Sequence, residues 1–170
     1  MTADPLLGRA LVEEATKKSG LIWVQGEDSP ARALWHVWHE GAAHLVGDGP
    51  GEQPLPGLVD GGTAEVTVRS KDKGGRVVAW TGRVSELAPG SEPWDAAVAE
   101  LKGKRLNASD AEGITVRWAE QCRVVRLTPL DGVAELPEES LAAAPLPTVA
   151  TTRQAVPGAL PRLLFKRKRR

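Results

Sequence analysis

The feature that most restricts this chain is a succession of short segments that alternate apolar and polar residues, each closed by turn-forming residues. GLIWVQ (Gly20 to Gln25), Ala33 to His39, Ala42 to Val46, Ala64 to Arg69 and Gly75 to Leu87 all have this character. A period of two places successive side chains on opposite sides of an extended chain, which is the pattern of strands in a sheet. Between them stand Gly26 to Pro30, Glu40-Gly41 and the charged Ser70 to Gly74, so neighbouring strands are expected to pair antiparallel. Gly47 to Gly62 (GDGPGEQPLPGLVDGG) is a glycine- and proline-rich connection, expected to hold one short helical turn around Pro54 to Leu58.

Two segments carry helical spacing. Asp4-Pro5 is a cap and first-turn pair followed by Leu7, Leu11 and Ala15, which predicts a helix from about 5 to 18. Pro93 to Leu106 repeats Trp94, Ala97, Val98 and Leu101 and predicts a second. Ile114 to Pro129 is expected to add one more long strand. The sum is a mainly β, α+β chain: a small six-stranded antiparallel barrel with flanking helices over residues 1–131.

Beyond Asp131 the composition shifts to Ala, Pro, Thr and Leu, with five prolines in 39 residues, and residues 132–170 are expected to form a disordered tail. Of 22 basic and 22 acidic residues, seven bases and three acids fall in this tail, giving it +4 and the remainder −4. An acidic body argues against nucleic-acid binding by the barrel itself. The basic end, Arg162 to Arg170, is expected to meet anionic lipid, nucleic acid or an acidic partner.

A lone cysteine, Cys122, excludes an internal disulfide and a multi-cysteine zinc site. With no secretory leader pattern and no apolar run long enough to span a bilayer, a reduced cytoplasmic setting is expected.

ALWHVWHEGAAH (33–44) holds all three histidines and two of the six tryptophans. On an extended strand Leu34, His36 and Trp38 face one way and Trp35, Val37 and His39 the other. His36 and His39 cannot then share a ligand. A turn at Glu40-Gly41 puts His44 opposite Val37, beside His39. At most two imidazoles converge, short of the three protein ligands of a catalytic zinc, so no metal site is expected. His39 and His44 are expected as paired surface or interface residues. Cys122 beside Arg123 is expected to be a small packed residue rather than a nucleophile, and no serine elbow or phosphate loop occurs.

The order of these elements, from the leading helix through GLIWVQ, ARALWHVWHEGAAHLVG, TAEVTVRSKD, GGRVVAWTGRVSEL and WDAAVAELKGKRL to RVVRLTP, resembles the flavin-binding split-barrel proteins. That superfamily holds the pyridoxamine 5'-phosphate oxidases and the actinobacterial deazaflavin-dependent reductases. The likeness covers about residues 5 to 130 and rests on order and spacing. It implies a six-stranded antiparallel split β-barrel, a homodimer with FMN or deazaflavin in a cleft between subunits, and oxidoreductase chemistry on a small-molecule substrate.

Carried over by position, Arg32 matches the arginine entering the second strand, Trp35 to Trp38 flank the ring, and Arg76 lies where a later strand offers another arginine. Arg69 is a further candidate, Gln53 a donor to the ring's polar edge, and His36 the one candidate acid or base. Arginine suits a phosphate through its planar fork of donors, and tryptophan suits a flat ring. Where the family has a Ser/Lys pair, this chain has Gly51-Glu52-Gln53, and a carboxylate there is expected to repel a phosphate. That departure gives the alternative reading, a non-catalytic dimeric barrel without cofactor.

Overall fold

The computed structural model describes residues 5–69, 76–105 and 113–130, with the side chains of Pro5 and Arg76 outside that description. The elements are α1 (Pro5–Lys18), β1 (Leu21–Gln25), β2 (Arg32–Trp35), β3 (Val37–His39), β4 (Ala42–Gly47), β5 (Thr63–Arg69), β6 (Arg76–Glu86), α2 (Glu92–Lys104), α3 (Ile114–Gln121) and β7 (Arg123–Pro129). The expected tail at 132–170 and the Ser70 to Gly74 turn lie outside the described residues.

One antiparallel sheet holds all seven strands in the order β2-β1-β5-β6-β7-β4-β3. Its two edges, β2 and β3, are consecutive in the chain with only His36 between them, so one bent segment nearly closes the sheet into a barrel. The sequence predicts six strands. The seventh arises because the second strand breaks at His36, where the first half pairs with β1 and the second with β4. A corner of this kind brings the two edges together at one bend, although β2 and β3 do not pair with each other.

Two apolar clusters divide the molecule. Alternate residues of the strands, among them Ile22, Val24, Leu34, Leu45, Val66, Val78, Trp80 and Leu127, fill the barrel, and α1 packs Leu11, Val12 and Ala15 against them. The second cluster lies outside the barrel, where Val37, Val46 and Val124 meet Trp94, Ala97, Val98 and Leu101 of α2 and Ile114 and Trp118 of α3. Strand β4 is buried at every position because it serves both.

Helix α2 starts on Ser91, whose hydroxyl accepts from the Trp94 amide at 3.4 Å, with Glu92 and Asp95 in its first turn and Lys102 and Lys104 in its last. Ile114 to Gln121 is a helix rather than the first part of a long strand. Ile114 and Trp118 are one helical turn apart and both buried in the cluster with α2, while Val116, which a strand would turn to the same face, is 58% exposed. The helical turn expected around Pro54 to Leu58 does not form; that stretch is a run of turns, with Gly57 at φ 70°.

Candidate functional site

Strand β1 is apolar on both sides. Ile22 and Val24 enter the barrel, while Leu21 and Trp23 point to the opposite face, with Leu21 53% exposed. Register puts Leu21 opposite Trp35 and Trp23 opposite both Ala33 and Thr67, and Thr67 opposite Ala79. Cross-strand partners share a face. The result is a largely apolar strip of Leu21, Ala33, Trp23, Thr67 and Ala79, bounded at one end by Trp35, which also packs against the α2 and α3 cluster.

Cations border it at both ends. The Arg69 guanidinium lies over the Trp23 ring at 4.1 Å from its centroid, and that of Arg105, which caps α2, lies 5.8 Å from the Trp35 centroid. Arg76 is opposite Arg69 in register. Of the residues singled out in the sequence, the fold therefore gathers Trp35, Arg69 and, by its backbone position, Arg76.

The others lie elsewhere. Arg32 is exposed at the far end of β2 from Trp35, opposite Val24. Trp38 packs against the barrel interior, edge-on to Trp80 with centroids 6.2 Å apart. Gln53 is committed to the backbone: its Oε1 accepts from the Trp35 amide at 2.9 Å, and its Nε2 donates to the carbonyls of Trp35 at 2.8 Å and Val46 at 3.3 Å. In this way it bridges β2 to β4 where the strand breaks.

His36 is buried, and its Nε2 donates to the Thr16 carbonyl at 2.9 Å, pinning the end of α1. Burial pushes it down to about 4, against that hydrogen bond and with a small push from Lys104, so the ring is neutral at pH 7. His39 and His44 do pair, with ring centroids 6.0 Å apart and His44 opposite Val37. His44 is not a surface residue, however: it is 2% exposed, and burial, then Arg126 and His39, lower it to about 4, while the His39 side chain keeps 29% exposure. For His44 the surface placement fails because α2 and α3 pack on this side of β4 through Val46, a layer the strand pattern alone does not announce. Among the described residues no three His, Cys, Asp or Glu side chains form a group able to hold a metal ion. No described helix is long and apolar enough to cross a membrane.

Glu52 does not stand in the connection as a free charge. Its side chain is fully buried, with Oε1 accepting from Trp118 Nε1 at 3.0 Å and Arg117 Nη2 at 3.2 Å, and Oε2 lying 3.2 Å from Arg105 Nε. Sequence reading missed this group because α3 was expected as a strand, which separates Arg117 from Trp118. It also gave Trp23 no role. The available signal was that β1 is apolar at both odd and even positions, the mark of a strand buried on two sides.

Chemically the strip offers flat apolar contact and guanidinium donors. None of the chain's three histidines lies on it, so it holds no group that titrates near neutrality. It can bind and orient a planar, anionic molecule, while redox chemistry would have to come from the molecule bound.

No protein-family model matches the chain, and no curated protein matches its sequence. Solved structures do share its fold. The heme storage protein HutZ from Vibrio cholerae superposes with a TM-score of 0.54 at 13% identity, over 74% of this chain and 93% of that one. A FAD- and heme-binding protein from Mycobacterium smegmatis gives 0.49 at 16% identity, over 92% and 93%. An F420 reductase gives 0.47 at 14% identity, over 69% and 92%. The chain is a split β-barrel protein, an α+β structure with a nearly closed antiparallel barrel and flanking helices.

Proposed function

We propose that this protein binds FMN or a deazaflavin as a member of the flavin-binding split-barrel superfamily, and acts as a homodimeric oxidoreductase on a small molecule. The observation that carries this reading is the strip of Trp23, Leu21 and Trp35 with Arg69 stacked at one end. A tricyclic ring gains from flat apolar contact. Its phosphate gains from a guanidinium, and Arg69 with Arg76 opposite is the place for it. Leu21 and Trp23, left outward by the barrel, also suit burial against a second subunit, and two-fold pairing is the commonest closed assembly. A flavin suits this surface better than heme, because His36 is spent on Thr16, His44 is buried and His39 lies on β3, away from the strip.

In the bound state the flavin would supply hydride transfer. The chain's part is to hold the ring on the strip, to neutralise the phosphate and to keep water from the covered face. The test is the visible spectrum of the purified protein with tryptophan fluorescence during titration with FMN and with a deazaflavin. Yellow colour or saturable quenching is expected; absence of both with either ligand overturns the reading.

A second reading, a dimeric module without cofactor, is favoured by one observation. Glu52 and Gln53, at the place of the family's phosphate-binding pair, face inward, Glu52 in ion pairs with Arg105 and Arg117 and Gln53 in hydrogen bonds to the backbone of Trp35. The same titration decides between the two.

A further inference from the structure

The groups around Glu52 form a built anion site. Donors from two helices converge on it: the guanidinium of Arg105 at the end of α2, and the guanidinium of Arg117 and the indole N–H of Trp118 on α3. Both guanidinium groups are mostly shielded, with Arg105 23% and Arg117 19% exposed, and the carboxylate itself is sealed at 0%. Each arginine is also held from the loop side. Arg105 Nη2 donates to the Gly51 carbonyl at 3.0 Å, and Arg117 Nη1 donates to the Pro50 carbonyl. The cationic walls thus have anchors other than the anion between them.

We propose that the space bounded by Arg105, Arg117 and Trp118 is a carboxylate-binding site whose resident ligand is the chain's own Glu52. It accepts a free small carboxylate once that tether is cut. Shape supports the assignment as well as charge. Truncating Glu52 to alanine removes Cγ, Cδ and both oxygens, and acetate restores that same set of heavy atoms.

A consequence follows for the native protein. A tethered group competes at an effective concentration on the order of millimolar or above, so a scarce external anion cannot displace Glu52. The glycine-rich connection is therefore closed to phosphate in the native chain, whether or not a flavin binds at the strip.

The experiment compares thermal melts of the full-length wild type, Glu52→Ala and Glu52→Gln in sodium acetate, in sodium chloride of equal ionic strength, and in acetamide. At acetate roughly ten times its dissociation constant, the melting temperature of Glu52→Ala should rise by about 3 °C or more over chloride. The wild type and Glu52→Gln, in which the space stays filled, should not respond, and uncharged acetamide should not substitute. If Glu52→Ala does not fold unaided, its refolding yield in acetate against chloride is the readout, with a severalfold gain expected. An equal response of wild type and Glu52→Ala, equal rescue by acetamide, or no rescue in either readout overturns the proposal.

Discussion

Arg69, the last residue of β5, lies with its guanidinium carbon 4.1 Å from the ring centroid of Trp23 on β1. The contact joins a cation to the outward apolar strip at the point where Arg76 stands opposite in register. If that cation takes the phosphate of a bound flavin, it should matter only for ligands that carry one. Arg69→Gln should weaken FMN by about tenfold, the loss of one charge-assisted hydrogen bond, and leave riboflavin unchanged. Tryptophan quenching measures both. Equal weakening of the two ligands would remove Arg69 from the phosphate role.

Leu21 is 53% exposed between Trp23 and Trp35 on the strip proposed to meet a second subunit. A carboxylate there would be stranded on pairing, at a cost of several kcal/mol. Light scattering at micromolar concentration should give twice the chain mass for the wild type and a single chain for Leu21→Glu. A monomeric wild type would remove the dimer.

His36 and His44 are both held near 4, below the ordinary 6.5 of an unfolded histidine. Between those values the unfolded chain binds more protons than the folded one. The stability from keeping the rings neutral is therefore complete above about pH 6.5 and is lost as the pH falls toward 4. Urea unfolding from pH 7 to 5 should show a loss approaching about 1.4 kcal/mol per pH unit for each ring. A flat profile would mean that the rings are charged in the folded state.

Gly47 ends β4 where the glycine-rich connection returns against it. A Cβ there would sit 2.2 Å from the Gln53 carbonyl oxygen and 2.6 Å from Leu55 Cγ. Gly47→Ala should cost about 3 kcal/mol through overpacking, read as a lower urea midpoint. A change below about 1 kcal/mol, within the range of ordinary surface substitutions, would show that the loop yields.

The basic end of the chain, Arg162 to Arg170, is proposed to hold an anionic surface or partner. Removing it should abolish retention on vesicles rich in anionic lipid, or on nucleic acid, at low salt, where attraction of this kind is strongest. Retention unchanged by the deletion would end that role.

Most strands were legible because period-two alternation and turn residues are local signals. The Glu40-Gly41 turn is an example: both residues have positive φ, 47° and 71°, as a tight hairpin needs, and this sets His44 opposite Val37 as the spacing implies. Trp35 and Trp38 likewise face different clusters, as alternation demands. Helix α3 was not legible. ITVRWAEQ contains four residues that favour strands, Ile114, Thr115, Val116 and Trp118, and it is the tertiary packing of Ile114 and Trp118 with α2 that accompanies its helical form.

What the sequence determined by itself is the set of strands, their side-to-side alternation and the two flanking helices, since these depend on residues close together in the chain. Only the tertiary structure decided which tryptophans remain outward and where the cations gather. It likewise decided that Glu52 is sealed rather than free. Those outcomes depend on pairings such as Leu21 with Trp35 and Glu52 with Arg117, whose partners lie far apart in sequence, so no local pattern encodes them.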